Sequence, residues 1–278
     1  MVSKVRSQPV AENVHQFRTN SRRVQAILEE FGTEPTGKER KLLKSLSKLR
    51  KRAGQIRDLD VQIAALRDLK IGEAAEEKRE LMGALNDERD HRAEQLVRAL
   101  DDGMVSELRK RLKAAATAHE SRRPHGNPLA TALRMFSRLA KEASPAEENL
   151  HQYRIRCKKI RYIAELAGDK PEAQRVVEEL KRLQDAIGEW HDWLTLTDAA
   201  VKMFPDRPNS ALINALRSIA RNKLREALRT VLETREKLLP LAQTQRRRRT
   251  AVHPESTTEA MGRKAVEPVR PRQEAATA

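Results

Sequence analysis

The sequence predicts an all-α protein, and three observations carry the prediction. Aromatic residues make up 3% of the chain, too few for a strand-rich protein, whereas alanine, leucine and long charged side chains suit helices. Only ten glycines occur in 278 residues, which leaves long uninterrupted runs. Apolar residues in those runs recur at steps of three and four, the period of a helix stripe facing a core.

The elements are delimited by proline and glycine, neither of which suits a helix interior. The first eight residues, before Pro9, are expected to be flexible. A helix is predicted over 11–31, where Val14, Phe17, Val24, Ile27, Leu28 and Phe31 fall on one apolar arc. The segment Gly32 to Gly37 ends it, and helices over 38–69 and 73–100 follow on either side of Ile71-Gly72. One more helix, over 102–118, reaches toward the break at Arg123 to Pro128. A helix over 128–142 precedes Ser144-Pro145. The next, over 146–167, has its proline in the first turn and acids at the positive end of the helix dipole; Leu150, Tyr153, Cys157, Ile160, Ile163 and Ala164 form its apolar arc. Gly168 to Pro171 separates it from a helix over 171–203, in which Leu180, Leu183, Ile187, Trp190 and Leu194 make a seam. After Pro205 to Pro208 a last helix is predicted over 209–238. From Gln243 the apolar period stops, so residues 241–278 are expected to be a disordered tail. Its run Arg246 to Arg249 would bind an anionic partner, serve as a targeting signal, or simply keep the tail solvated.

The chain repeats itself. Val14-His15-Gln16-Phe17-Arg18 returns as Leu150-His151-Gln152-Tyr153-Arg154, with Arg22-Arg23 matching Lys158-Lys159. A second string, Leu49 to Asp60, aligns with Leu183 to Leu194, so that Gly54 meets Gly188, Ile56 meets Trp190 and Asp58 meets Asp192. Two motifs in one order at nearly one offset indicate a tandem duplication, one repeat over 9–120 and the other over 128–240.

On the helical wheel His151, Arg154, Lys158 and Arg161 lie in one arc beside the core stripe. His15, Arg18 and Arg22 take the matching places, with Gln25 where Arg161 stands. Like charges stacked at such spacing destabilise a helix, so a counter-charge is expected, either carboxylates of a neighbouring helix or a bound anion. Arginine forks and lysine point charges suit phosphate oxygens. A histidine beside them would donate to the anion, gain a proton when it arrives, or cap a buried contact. Asp58 and Asp192 are candidates for holding a neighbouring cation in place, or for surface ion pairs. Gly54 and Gly188 mark a close approach or a bend.

The formal charge is +16, of which +12 belongs to the first 240 residues. So basic a body attracts polyanions. A single cysteine, Cys157, allows no intramolecular disulfide and is expected to be a packed thiol. No apolar run is long enough to span a membrane and the N-terminus lacks a signal peptide's apolar stretch, which points to the cytoplasm.

With these residues in view the chain resembles the CHAD family, the conserved-histidine α-helical domain, over about residues 8–240. The resemblance rests on His15/Arg18/Arg22/Arg23, His151/Arg154/Lys158/Arg161 with Tyr162, Arg57-Asp58 and His191-Asp192. It implies two helical bundles related by a pseudo-twofold axis in one compact domain, with basic side chains of both lining a central channel or groove. It also implies binding of inorganic polyphosphate and association with polyphosphate granules in the bacterial cytoplasm. The candidate ligand residues are thus His15, Arg18, Arg22, Arg23, Lys48, Arg57, His151, Arg154, Lys158, Arg161 and His191, with Asp58 and Asp192 supporting them. Gln25 departs from the pattern and leaves the first repeat less cationic at that place. No ExExK-type strand motif of a triphosphate-processing domain is found, and the expected role is non-enzymatic, with no cofactor and no metal.

Two other readings compete. A nucleic-acid or granule-scaffold adaptor would rely on the arginine-rich tail, but exposed aromatic platforms for bases are missing and any such binding should be weak or non-specific. A metal-dependent phosphohydrolase built on His191-Asp192 fails at the repeat, where Arg57 replaces the histidine and cannot ligate a metal.

Overall fold

The computed structural model describes residues 2–30, 35–120, 127–142 and 145–252, with the side chains of the last helix described as far as Gln245. Among the described residues the chain forms nine helices and no strand: α1 (Val2–Ser7), α2 (Ala11–Glu30), α3 (Gly37–Asp68), α4 (Ala75–Ala99), α5 (Asp102–Glu120), α6 (Pro128–Glu142), α7 (Glu147–Glu165), α8 (Pro171–Met203) and α9 (Ala211–Val252). The all-α prediction holds. Phe31 and parts of the breaks at Gly32 to Gly37, Arg123 to Pro128 and Ser144-Pro145 lie outside the described residues, as does everything after Val252.

Local chemistry explains the starts. Thr36 caps α3: its hydroxyl accepts from the Glu39 amide at 3.3 Å while the Glu39 carboxylate accepts from the Thr36 amide at 2.7 Å, which satisfies two otherwise orphaned donors. Asn127 caps α6 by accepting from the Ala130 amide at 3.2 Å, and Pro128 and Pro171 open α6 and α8 where no amide proton is needed. Pro145 lies just before the cap of α7 rather than within its first turn. Gly168, at φ +74°, turns the chain after α7 in a conformation that glycine adopts freely.

The chain differs from the sequence expectation at both ends. The first residues are not a flexible lead-in: α1 buries Val2 and Val5 against the first repeat, and Arg6 pairs with Asp102 of α5. The last helix runs past 238 to Val252 and carries Pro240 inside it. Proline costs one helical hydrogen bond, but Leu238, Leu241 and Ala242 continue the apolar stripe into the second repeat's core, and this packing holds the helix together.

Each repeat has its own core. Helices α1–α5 enclose Phe17, Leu42, Leu46, Ile56 and Leu96, and α6–α9 enclose Phe136, Tyr153, Leu180, Leu183 and Val231. Cys157 is fully buried in the second core, where burial pushes its thiol far up from the usual range. A third core joins the repeats: Ile63, Leu66, Leu81 and Leu85 of the α3–α4 hairpin pack with Leu196, Phe204, Leu212 and Leu216 of the α8–α9 hairpin. Nearer the other end α2 meets α7 and α3 meets α8. The ion pairs across this seam are reciprocal. Arg23 of α2 binds Glu165 of α7 at 3.1 Å, and Lys159 of α7 reaches Glu29 of α2 at 3.5 Å. Arg23 and Lys159 occupy matching repeat positions, and so do Glu29 and Glu165, so each repeat offers the other the same pair, as in an isologous contact. Among the described residues no helix is long and apolar enough to cross a membrane.

Candidate functional site: a cationic cleft lined by both repeats

The apolar arcs of α2 and α7 are consumed by the two cores, so the arcs beside them, which carry the repeated cations, are left facing each other. Between them opens a cleft of about 550 Å³ lined by His15, Arg18, Arg22, Arg23, Arg57, Arg154, Lys158 and Arg161, with Asp58 and Asp192 among its walls. The structure therefore brings most of the sequence-predicted residues together. Lys48 is not among them; it is an exposed residue of α3. His151 and His191 also lie off the cleft wall, with their rings 4.7 Å apart and tilted and Trp190 edge-on to His191. The Nδ1 of His151 is buried without a hydrogen-bond partner among the described residues. His15 lines the cleft, whereas His151 stands beside its wall, its pKa lowered by burial and then by His191, Arg154 and Lys158.

The glycines acquire a definite role. A methyl group on Gly188 would sit 2.7 Å from Nη2 of Arg154, and one on Gly54 would sit 2.9 Å from Nη1 of Arg18. Each repeated arginine thus lies across the glycine of the following helix, near a carboxylate one turn farther on. Arg18 donates to the Ala53 carbonyl at 3.4 Å and approaches Asp58 at 3.6 Å. Arg154 donates to the Gln184 carbonyl at 3.2 Å, and Asp192 opposes the fall in its pKa. The motifs HxxR and GxxxD are two halves of one unit, built twice. Burial brings Arg18 down to about 10, chiefly by desolvation and partly by Arg22, Arg154 and Arg57, with Asp58 working against the shift.

Lys158 forms no ion pair with a carboxylate among the described residues. Burial, then Arg154, Arg22 and Arg18, holds its amine down to about 6, and Asp192 offsets this only in part. His15 is likewise lowered, by burial and then by Arg57. Compensation elsewhere is uneven. Arg161 pairs with Glu165 and donates to Gln184 Oε1 at 3.0 Å, and Arg23 shares Glu165, so one carboxylate offsets part of the charge of these two. Arg22, Arg57 and Lys158 form no ion pair among the described residues.

Gln25 proves to be half of an exchange. Arg50 of α3 donates to Gln25 Oε1 at 2.6 Å, and Arg161 of α7 donates to Gln184 Oε1 of α8. Position 25 matches 161 and position 50 matches 184, so the two repeats hold the same Arg–Gln contact with its members interchanged. The first repeat does not lack the cation; it carries it on the facing helix. The histidine motif carries no sign of Arg50; the signal lies in the second motif, where laying Leu49 on Leu183 puts Arg50 opposite Gln184. Among the described residues no group of three or more His, Cys, Asp or Glu side chains is arranged to hold a metal ion.

Fold and site define the chain as an all-α repeat protein with one cationic cleft shared by its repeats. Residues 2–201 match the CHAD domain, and the chain belongs to that family. The match starts within α1 and ends within α8, so α9 completes the second core beyond it. No curated protein matches the chain.

Proposed function

We propose that the protein binds inorganic polyphosphate in the cleft between its repeats, without chemistry of its own, and that this binding localises it to polyphosphate granules. The observation that carries the reading is the set Arg22, Arg57 and Lys158, drawn from both repeats, converging on one cleft with no ion pair among the described residues. CHAD domains are linked to polyphosphate binding, and a flexible chain with a charge on each internal phosphate suits a row of cations with no aromatic platform. The reciprocal ion pairs and the interchanged Arg–Gln contact support a pseudo-twofold relation between the repeats. Under that relation the cleft presents similar cations in either direction, so a chain without polarity fits it either way.

Binding releases counterions and weakens linearly in log–log coordinates as salt rises. Titration of the full chain with polyphosphate tests the reading. The triple variant Arg22→Gln/Arg57→Gln/Lys158→Gln should lose at least about 100-fold in affinity, since each charge-assisted phosphate contact is worth about 1.5–3 kcal/mol, with helical content unchanged by circular dichroism. Undiminished affinity in that variant, or equal competition by RNA at matched phosphate concentration, refutes it.

A further inference from the structure

A second pocket, of about 270 Å³, adjoins the cleft. Arg22, Lys158 and Tyr162 line both spaces. The rest of the pocket is of a different character: its walls are mainly carbon, with Ala26 on one side and Ile155, whose side chain is 46% exposed, at its mouth. Ile155 is one of only four large hydrophobic residues exposed among those described. A bare polyphosphate chain has no apolar group to place against such walls. Arg50 and Lys159 line it too, and its one carboxylate, Glu29, is paired with Lys159 at 3.5 Å, so the pocket is cationic like the cleft and differs from it in its carbon walls; Arg50 offers a cation to a polarisable ring. The two spaces thus differ in apolar surface rather than in sign of charge, and a flat organic group can cover such a surface where a phosphate cannot.

We propose that this pocket seats the base of a nucleoside polyphosphate whose phosphates enter the cleft beside Arg22 and Lys158. The volume lies just under the ~300 Å³ at which pockets begin to take drug-sized molecules and leaves room for a single heterocycle. Gln25 and Glu29, bonded to each other and to Arg50 and Lys159, form its polar edge, and Ala26 and Ile155 cover its faces. The proposal rests on the reading of the cleft as a phosphate site and adds a ligand class with one organic end.

Titration of the full chain with ATP and with tripolyphosphate at equal salt tests it. The nucleotide has one fewer ionisable oxygen, so charge alone makes it the weaker ligand. Burial of one base against Ala26 and Ile155, beside the Arg50 guanidinium, should instead make ATP about tenfold tighter. Ile155 is half exposed, so Ile155→Gln, which keeps the bulk, and Ile155→Asn, which also shortens the side chain, should both fold and both make the mouth polar. Each should remove the advantage of ATP while leaving tripolyphosphate within about twofold of its original affinity. Tripolyphosphate binding as tightly as ATP overturns the pocket and leaves the cleft standing. So does an ATP preference that both variants retain. If neither ligand binds, the cleft reading fails and this proposal falls with it.

Discussion

Lys158 is where the anion and the proton meet. With its amine held down to about 6 by burial and by Arg154, Arg22 and Arg18, the side chain is mostly neutral in the empty cleft above that pH. A polyanion beside it favours the charged form, so binding takes up a proton. Affinity is then constant below about pH 6 and falls as pH rises above it, by at most about tenfold per pH unit. Titrations between pH 7 and 8.5 in buffers of different ionisation enthalpy should reveal that proton. Lys158→Arg, which stays charged, should bind with no uptake assignable to this position. The unliganded protein obeys the opposite slope. The unfolded chain holds the proton up to the ordinary lysine value and the folded one loses it near 6, so between those limits stability rises with pH. Lys158→Met should accordingly raise the melting temperature, by the equivalent of about 1 kcal/mol, while weakening polyphosphate. A variant that melts lower would mean that the amine is satisfied in a way the cleft geometry does not show.

Helix pairs place these side chains, and the glycine of α3 or α8 decides where the arginine of α2 or α7 can lie. Gly188→Ala improves the intrinsic helix propensity by about 1 kcal/mol but pushes a methyl group to 2.7 Å from the Arg154 guanidinium. That guanidinium is the mobile end of a long side chain and can move aside. The expected outcome is an unchanged or slightly higher melting temperature together with an affinity reduced several-fold. Gly83→Ala, which meets open space, is the control. The Arg–Gln exchange gives a second test on the same pairs. Arg50→Gln alone leaves two amides and should weaken binding or stability, whereas Gln25→Arg with Arg50→Gln rebuilds the contact in the arrangement of the second repeat and should restore both. If the double variant is no better than the single, the two positions are not equivalent.

Across the molecule, the third core at the hairpin tips and the reciprocal ion pairs near α2 and α7 hold the repeats at the separation that leaves the cleft open. The helix beyond Pro240 belongs to this body as far as Gln245, which donates to Glu172 of α8 at 3.4 Å. A chain ending after Gln245 should therefore keep its melting temperature and nearly all of its polyphosphate affinity at physiological salt. One ending at Lys237 removes Leu238 and Ala242 from the second core and should melt lower. A large loss of affinity on removing only 246–278 would transfer the binding to the arginine run.

Periodicity and repetition are properties of the chain itself, so the helix class, the breaks, the duplicated motifs and the identity of most cleft cations could be read before any coordinates. The apolar arcs of α2 and α7 had to be buried, and that alone fixed which side of each helix its arginines would flank. Proximity between elements far apart in sequence could not be read in that way. Packing decided that Glu165 is shared by Arg23 and Arg161 while Lys158 forms no ion pair among the described residues, that the His151 ring lies beside that of His191 while His15 lines the cleft, and that Gly54 and Gly188 serve arginines on another helix. It also overrode local signals at both ends, because Val2 and Val5 gained a core to enter and the stripe around Pro240 gained one to follow. Burial and charge pairing are sums over neighbours, and the neighbours exist only once the two repeats have folded against each other.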